Sequence, residues 1–407
     1  MISRRTLLGA GVATLGLAAL PTVAVGRTDW DELACRLRGS LVLPSDRGYA
    51  TAKQLELAQF DGIGPSAIAY CVTAGDVSSA VRFARHHGVP VAVRSGGHSF
   101  GGYSTTTGLV VDVSRLNEVT VGGSVVTIGP GAQNAQILGA LAPYGLVVSE
   151  GGCPTVAAGG FLQGGGYGFL TRPLGMACDA IVSAEVVLAD GTLVTASPDE
   201  HPDLFWAIRG GGGGNFGIVT SFRVVPHDGD TMSSSTIVFP YSAAAGVLAG
   251  FSHWLVDAPR SIGGGAFVQQ ADAGAGSVPN LVVLLASPGT PAALSAEIDR
   301  LLAGTGAPLV RQDAVSSFRD LMMNVFGCGA LTVAQCARSG KTPLGQLARP
   351  AFGLERSRLG STPIGPGDWP ALLAAFDAEP LAGQSRFLDL QMFGGAANDV
   401  GRTATAY

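Results

Sequence analysis

Val91 to Gly102 reads VAVRSGGHSFGG, and the fold turns on how this stretch is placed. The β-branched run Val89-Pro90-Val91-Ala92-Val93 predicts a short strand, Arg94 to Gly102 a loop, and Leu109 to Val113 the next strand. Within the loop, Gly97-His98-Ser99-Phe100-Gly101 satisfies G-x-S-x-G, the nucleophile elbow of serine hydrolases. An elbow opens directly into a helix, whereas Ser99 is followed by Gly101, Gly102 and a Ser/Thr/Gly stretch that runs to the strand at Leu109. A hydrolase built on Ser99 is therefore the weaker reading. As a nest, Ser95, Gly96 and Gly97 can turn their amides inward without Cβ obstruction, beside Arg94, and such a concavity binds a pyrophosphate. His98 then stands at its mouth, within reach of a nucleotide cofactor's reactive ring. The plainer alternative is a histidine that only hydrogen-bonds a turn.

Working outward, Asp76 to His87 has apolar residues at Val77, Ala80, Val81 and Ala84, which predicts a helix stopped by Gly88 and Pro90. Ile181 to Ala189 and Thr192 to Ala196, joined by Asp190-Gly191, predict a hairpin with a type I′ turn. A second glycine cluster, EGGCPTVAAGGFLQGGGYGFLTRPLGMACD, sets Cys153 ahead of Gly159, Gly160, Gly164, Gly165, Gly166 and Gly168, a composition suited to backbone pressed against a flat ligand. Alone it is equally a buried structural cysteine among loop glycines. A third, RGGGGGNFGIVTSF, continues into β-branched Ile218-Val219-Thr220 and predicts an ordered strand. Past Val225-Pro226 the glycine clusters thin out and helical stretches such as Pro291 to Leu302 appear, which places a domain boundary near residue 228. Helices alternating with mixed strands predict an α+β fold rather than a doubly wound sheet.

Of 407 residues only 14% are charged, the net charge is −5, and no basic run provides a nucleic-acid footprint. At 47% hydrophobic the chain can bury a large core, and no apolar run after the N-terminus is long enough to span a bilayer. Residues 1–26 carry Arg4-Arg5, an apolar run and small residues, and predict a cleavable export signal that resembles the twin-arginine type and stands outside the fold. This implies a periplasmic, envelope or extracellular protein. Gly340-Lys341-Thr342 fails as a P-loop because Gln335 stands where glycine is needed. The six cysteines form no CxxC pair, so no metal site is expected. Cys328 with Cys336 is the expected bridge, Cys35 with Cys71 a weaker one, and Cys178 a buried spare thiol.

RSGGHS, CPTV, GGGYG, DLFWAIRGGG and NFGIV, in this order, resemble the berberine bridge enzyme-like branch of the FAD-linked oxidases, in the vanillyl-alcohol oxidase superfamily. The resemblance runs from about residue 35 to 400. It implies an FAD-binding domain of two subdomains over 27–227, and over 228–407 a substrate domain whose antiparallel sheet is covered by helices. It also implies covalent FAD, with His98 on the flavin's 8-methyl group and Cys153, as a thiolate, on ring carbon 6. Arg94, Ser95, Gly96, Gly97 and Ser99 then match the pyrophosphate loop. Gly160, Gly164, Gly165 and Gly166 match backbone at the ring, and Gly214, Asn215, Gly217, Ile218 and Val219 the segment beside the adenine half. The implied reaction oxidises an alcohol, of a sugar or a secondary metabolite: a base takes the hydroxyl proton while hydride passes to the flavin. Tyr167 is the implied participant at the catalytic centre. The strand before Gly394-Gly395 offers Asp389 and Gln391 on one face. Val156, three residues after Cys153, is the implied gate for molecular oxygen, which makes an oxidase the expectation and a catalytically impaired flavin binder its alternative. The chain stops where relatives continue with a returning segment, so a missing C-terminal segment and weak turnover are also expected. The substrate is set by second-domain side chains that no motif marks.

Overall fold

The computed structural model describes residues 29–229 and 231–407. The expected export signal at 1–26 lies outside the described residues. The described residues form four sheets. The first contains β1 (Ser40–Val42), β2 (Ala67–Tyr70), β3 (Val91–Arg94) and β4 (Leu109–Asp112), in the order β1-β2-β4-β3. β2, β4 and β3 run parallel, while β1 is antiparallel to β2. β4 is central and buried along its whole length, as its unbroken Leu-Val-Val run requires.

The crossover from β2 to β3 is the helix Ala74–His87. Thr73 and Asp76 close a capping box at its start, Gly88 at φ 63° ends it, and Val77, Ala80, Phe83 and Ala84 form its buried face. The second sheet contains β5 (Val119–Gly122), β6 (Val125–Ile128), β8 (Ile181–Val187), β9 (Leu193–Ala196) and β10 (Ile218–Val224), ordered β5-β6-β10-β8-β9 and antiparallel throughout. β7 (Leu146–Val147) and β11 (His227–Asp228) make a small pair.

The β8–β9 hairpin forms, but its turn is not type I′. Gly191 has φ 81° whereas Asp190 is not left-handed, and the Gly191 amide donates to the Leu188 carbonyl. This is a right-handed turn closed by a glycine bulge. Asp190 stays in the right-handed region because its carboxylate accepts from the Thr192 amide.

The fourth sheet contains β12 (Thr231–Phe239), β13 (Gly263–Gln270), β14 (Asn280–Ser287), β15 (Val310–Ser317) and β16 (Arg386–Gln391), all antiparallel in the order β15-β12-β14-β13-β16. Strand alternation divides its two faces. Ala266, Val268, Leu281, Val283 and Leu285 pack under the helices Ala244–Asp257, Pro291–Thr305 and Trp369–Asp377. Their neighbours Phe267, Gln269, Val282 and Leu284 point the other way, into a cleft shared with the first two sheets. The α+β architecture with a helix-covered antiparallel sheet is as expected.

Cys328 and Cys336 are bridged, and Cys178 is a buried free thiol. Cys35 and Cys71 are both free, so the weaker expected bridge does not form. The last residues return to the first domain: the Trp206 indole donates to the Thr403 carbonyl, Arg209 to that of Ala404, and the Ala406 amide to that of Arg209. Among the described residues no helix is long and apolar enough to cross a membrane.

Candidate active site

One wide cleft collects most of the residues singled out in the sequence. From the loop after β3 it is lined by Ser95, Gly96, Gly97, His98 and Ser99. Gly97 holds φ 73°, and a Cβ on Gly96 would come within 2.9 Å of the Ala157 amide nitrogen, so both positions need glycine. Arg94 does not reach the cleft. Alternation along β3 sends Val93 into it and Arg94 to the opposite side, where Arg94 is buried in an ion pair with Asp112. Its expected place at a pyrophosphate is corrected to a structural one.

Ser99 is not an elbow nucleophile. Its hydroxyl accepts from the Tyr103 amide, its carbonyl accepts from Gly102, and no helix intervenes before β4.

The second segment brings Cys153, Val156 and Gly160 to the same cleft. A Cβ built on Gly152 or Gly160 would meet open space, and these bare backbone surfaces leave room for a flat ring. Gly164, Gly165 and Gly166 are not on the cleft wall. Gly165 and Gly166 turn the chain behind it at φ 101° and 73°, where a Cβ would strike Tyr407, or Ala177 and Phe161. Gly214, Gly217, Ile218 and Val219 line the cleft, but Asn215 does not: its side-chain amide donates to the Gly211 carbonyl, 2.9 Å away, and closes the glycine turn.

Burial lowers the His98 pKa, against the pull of Glu56, so the imidazole is neutral at pH 7. Its Nε2 lies 2.8 Å from the Thr155 hydroxyl and 3.6 Å from the Glu56 carboxylate. Burial, with the carboxylates of Glu56 and Glu355, pushes the Cys153 thiol up. Its resting form is therefore the thiol, not the expected thiolate, and any bond to sulfur requires deprotonation as it forms.

Across the cleft stand Tyr167, Asp389 and Gln391. Burial pushes Asp389 up to about 6, the Gln391 amide opposes this, and Glu355 reinforces it. The Gln391 amide donates to the Asp389 carboxylate at 3.2 Å, so both residues do share a face of β16. Burial, Glu355 and Asp389 raise the Tyr167 hydroxyl as well. Tyr407 also lines the cleft, and Glu56, beside His98, carries no motif and was not legible in the sequence.

A family model for an FAD binding domain matches residues 65–197, the span that supplies the loop of His98, the segment of Cys153 and Tyr167. The chain is similar to proteins named FAD-linked oxidoreductases. It is 44% identical over 185 residues to the FAD-linked oxidoreductase pynB of Aspergillus niger, a match covering 45% of this chain and 34% of that one. The aligned part thus spans about a third of that relative's length. Among solved structures, BBE-like 1 of Physcomitrella patens superposes with a TM-score of 0.79 at 23% identity, over 92% of this chain and 80% of the other. That likeness shows the fold. The xylooligosaccharide oxidase of Myceliophthora thermophila C1, in complex with xylobiose, gives 0.75 at 26% identity, over 93% and 79%. Both likenesses extend over more than nine-tenths of this chain.

Proposed function

We propose that this FAD-linked oxidoreductase is an exported oxidase that takes two electrons from an alcohol, on a sugar or secondary metabolite, into FAD held covalently by His98 and Cys153. The observation that carries the reading is that these two nucleophiles open into one glycine-walled cleft, opposite a carboxylate held near neutral pKa. FAD bound there would supply the hydride acceptor. The chain's own residues supply the rest. Asp389, ionised above about pH 6, takes the hydroxyl proton. The Gln391 side-chain oxygen is buried without a partner, and a substrate hydroxyl would satisfy it. Tyr167 stands beside them as a hydroxyl donor, kept protonated by burial and its carboxylate neighbours.

The leader with Arg4-Arg5 supports export, and covalent attachment suits it, since a protein outside the cytoplasm cannot rely on a pool of free FAD. The sugar oxidase neighbour supports the alcohol class. Dioxygen as acceptor rests on Val156 lining the cleft. The test is an anaerobic screen of purified flavoprotein against sugars and other alcohols. A substrate should bleach the visible flavin bands and air should restore them with release of hydrogen peroxide. Colour that no alcohol bleaches would leave only a flavin-binding protein.

A further inference from the structure

His98 has two polar side chains at one ring nitrogen: its Nε2 lies 2.8 Å from the Thr155 hydroxyl and 3.6 Å from the Glu56 carboxylate. Glu56 is pinned at both ends. Its backbone amide donates to the Gly97 carbonyl at 3.1 Å, within the loop that carries His98. Its carboxylate is held at 2.9 Å by Arg338, whose guanidinium also donates to the Leu55 carbonyl at 2.8 Å. Arg338 belongs to the second half of the chain, two residues beyond the bridged Cys336. Its side chain is 5% exposed and that of Glu56 14%, so the pair is shielded from solvent.

We propose that Glu56, anchored by Arg338, is a positioning residue that keeps the His98 proton on Nε2 and so leaves Nδ1 as the atom that bonds the cofactor. The inference rests on the covalent reading above and goes beyond it by naming the residues that prepare the nucleophile. An imidazole has one lone pair available for attack, on the nitrogen that lacks the proton. A carboxylate fixed beside Nε2 stabilises the tautomer protonated there. It also stabilises the positive charge that the ring acquires when Nδ1 forms its bond, and takes up the Nε2 proton afterwards.

The balance is simple. The 8-methyl carbon loses one hydrogen and gains the bond to Nδ1, and His98 loses its ring proton. The two electrons and two protons leave on dioxygen, the required co-reactant, as hydrogen peroxide. Because Arg338 reaches over from the second domain, attachment is tied to correct docking of the two domains.

The experiment uses the full chain with Cys153→Ala, so that only His98 can form a link. Flavin-free protein is mixed with FAD in air. Bound flavin is read by desalting under native conditions, and attached flavin by fluorescence of the acid-precipitated protein in a denaturing gel. Glu56→Gln in this background should bind FAD as the parent does but attach it more slowly, by roughly a hundredfold. Glu56→Asp should recover part of the rate, because the carboxylate and not the chain length is what matters. Arg338→Met should slow attachment in the same sense, and NMR of the parent's flavin peptide should place the link on Nδ1. Attachment by Glu56→Gln at the parent's rate, or a link on Nε2, overturns the proposal. Loss of FAD binding itself in Glu56→Gln also overturns it, since that is the mark of a structural role. If the Cys153→Ala parent attaches no flavin at all, the reading of His98 as a covalent ligand has failed and this inference falls with it.

Discussion

Two opposing effects meet on the Asp389 carboxyl. Burial disfavours its charge and Glu355 adds repulsion, while the Gln391 amide favours the ionised form, and burial wins to give a value of about 6. A base works when deprotonated, so the rate of substrate oxidation should rise as pH climbs through about 6 and then level off. Asp389→Asn should remove that limb and lower kcat by roughly 10²-fold or more. A pH–rate profile of the two proteins checks this, and the same limb in both would assign the titration to another group. Val156 carries a prediction of a different kind. One added methylene in a packed wall obstructs a small-molecule path, so Val156→Leu should keep substrate reduction and slow re-oxidation by air, read by stopped-flow return of the flavin absorbance. Equal re-oxidation rates in the two proteins would remove Val156 as a gate.

Elements differ in how openly the sequence announces them. β3, its loop and β4 were legible because β-branched runs and a glycine cluster leave few other conformations, and the helix Ala74–His87 because its apolar period and Gly88 agree. The loop's inward glycines were legible too, but the side to which Arg94 points depends on strand alternation that the motif does not mark. The turn at Asp190-Gly191 was misassigned for a related reason: the dipeptide suits more than one turn, and the Thr192 amide decides.

Least legible was the segment of residues 336–349, which grips the first domain from nearly 300 residues away. Arg349 makes paired hydrogen bonds to Asp61 at 2.5 and 2.6 Å and donates to the Leu55 and Leu57 carbonyls, an arrangement with no local pattern. Arg349→Met leaves Asp61 and two carbonyls without this donor and should cost about 2 kcal/mol. Thermal unfolding should show a lower Tm, and an unchanged Tm would mean that the clamp contributes nothing net.

For the whole molecule, the decisive feature is that sheets from the two halves of the chain face one cleft, and each half brings different candidate residues to it. The first supplies a glycine-walled floor with His98 and Cys153, and the second a sheet whose inward face carries Asp389 and Gln391. The glycine clusters made the floor readable because they mark backbone that approaches something closely. The roof was readable only where alternation along one strand placed two polar residues together, since long-range strand pairing sets the rest. Doubly covalent FAD is the central claim, and denaturation tests it most directly. Purified protein is precipitated in acid, washed, and assayed for flavin in the pellet and the filtrate. Attachment through His98 and Cys153 predicts a yellow pellet and a colourless filtrate for the wild type and for each single alanine variant, with flavin released only when both residues are replaced. Free FAD in the wild-type filtrate would contradict it.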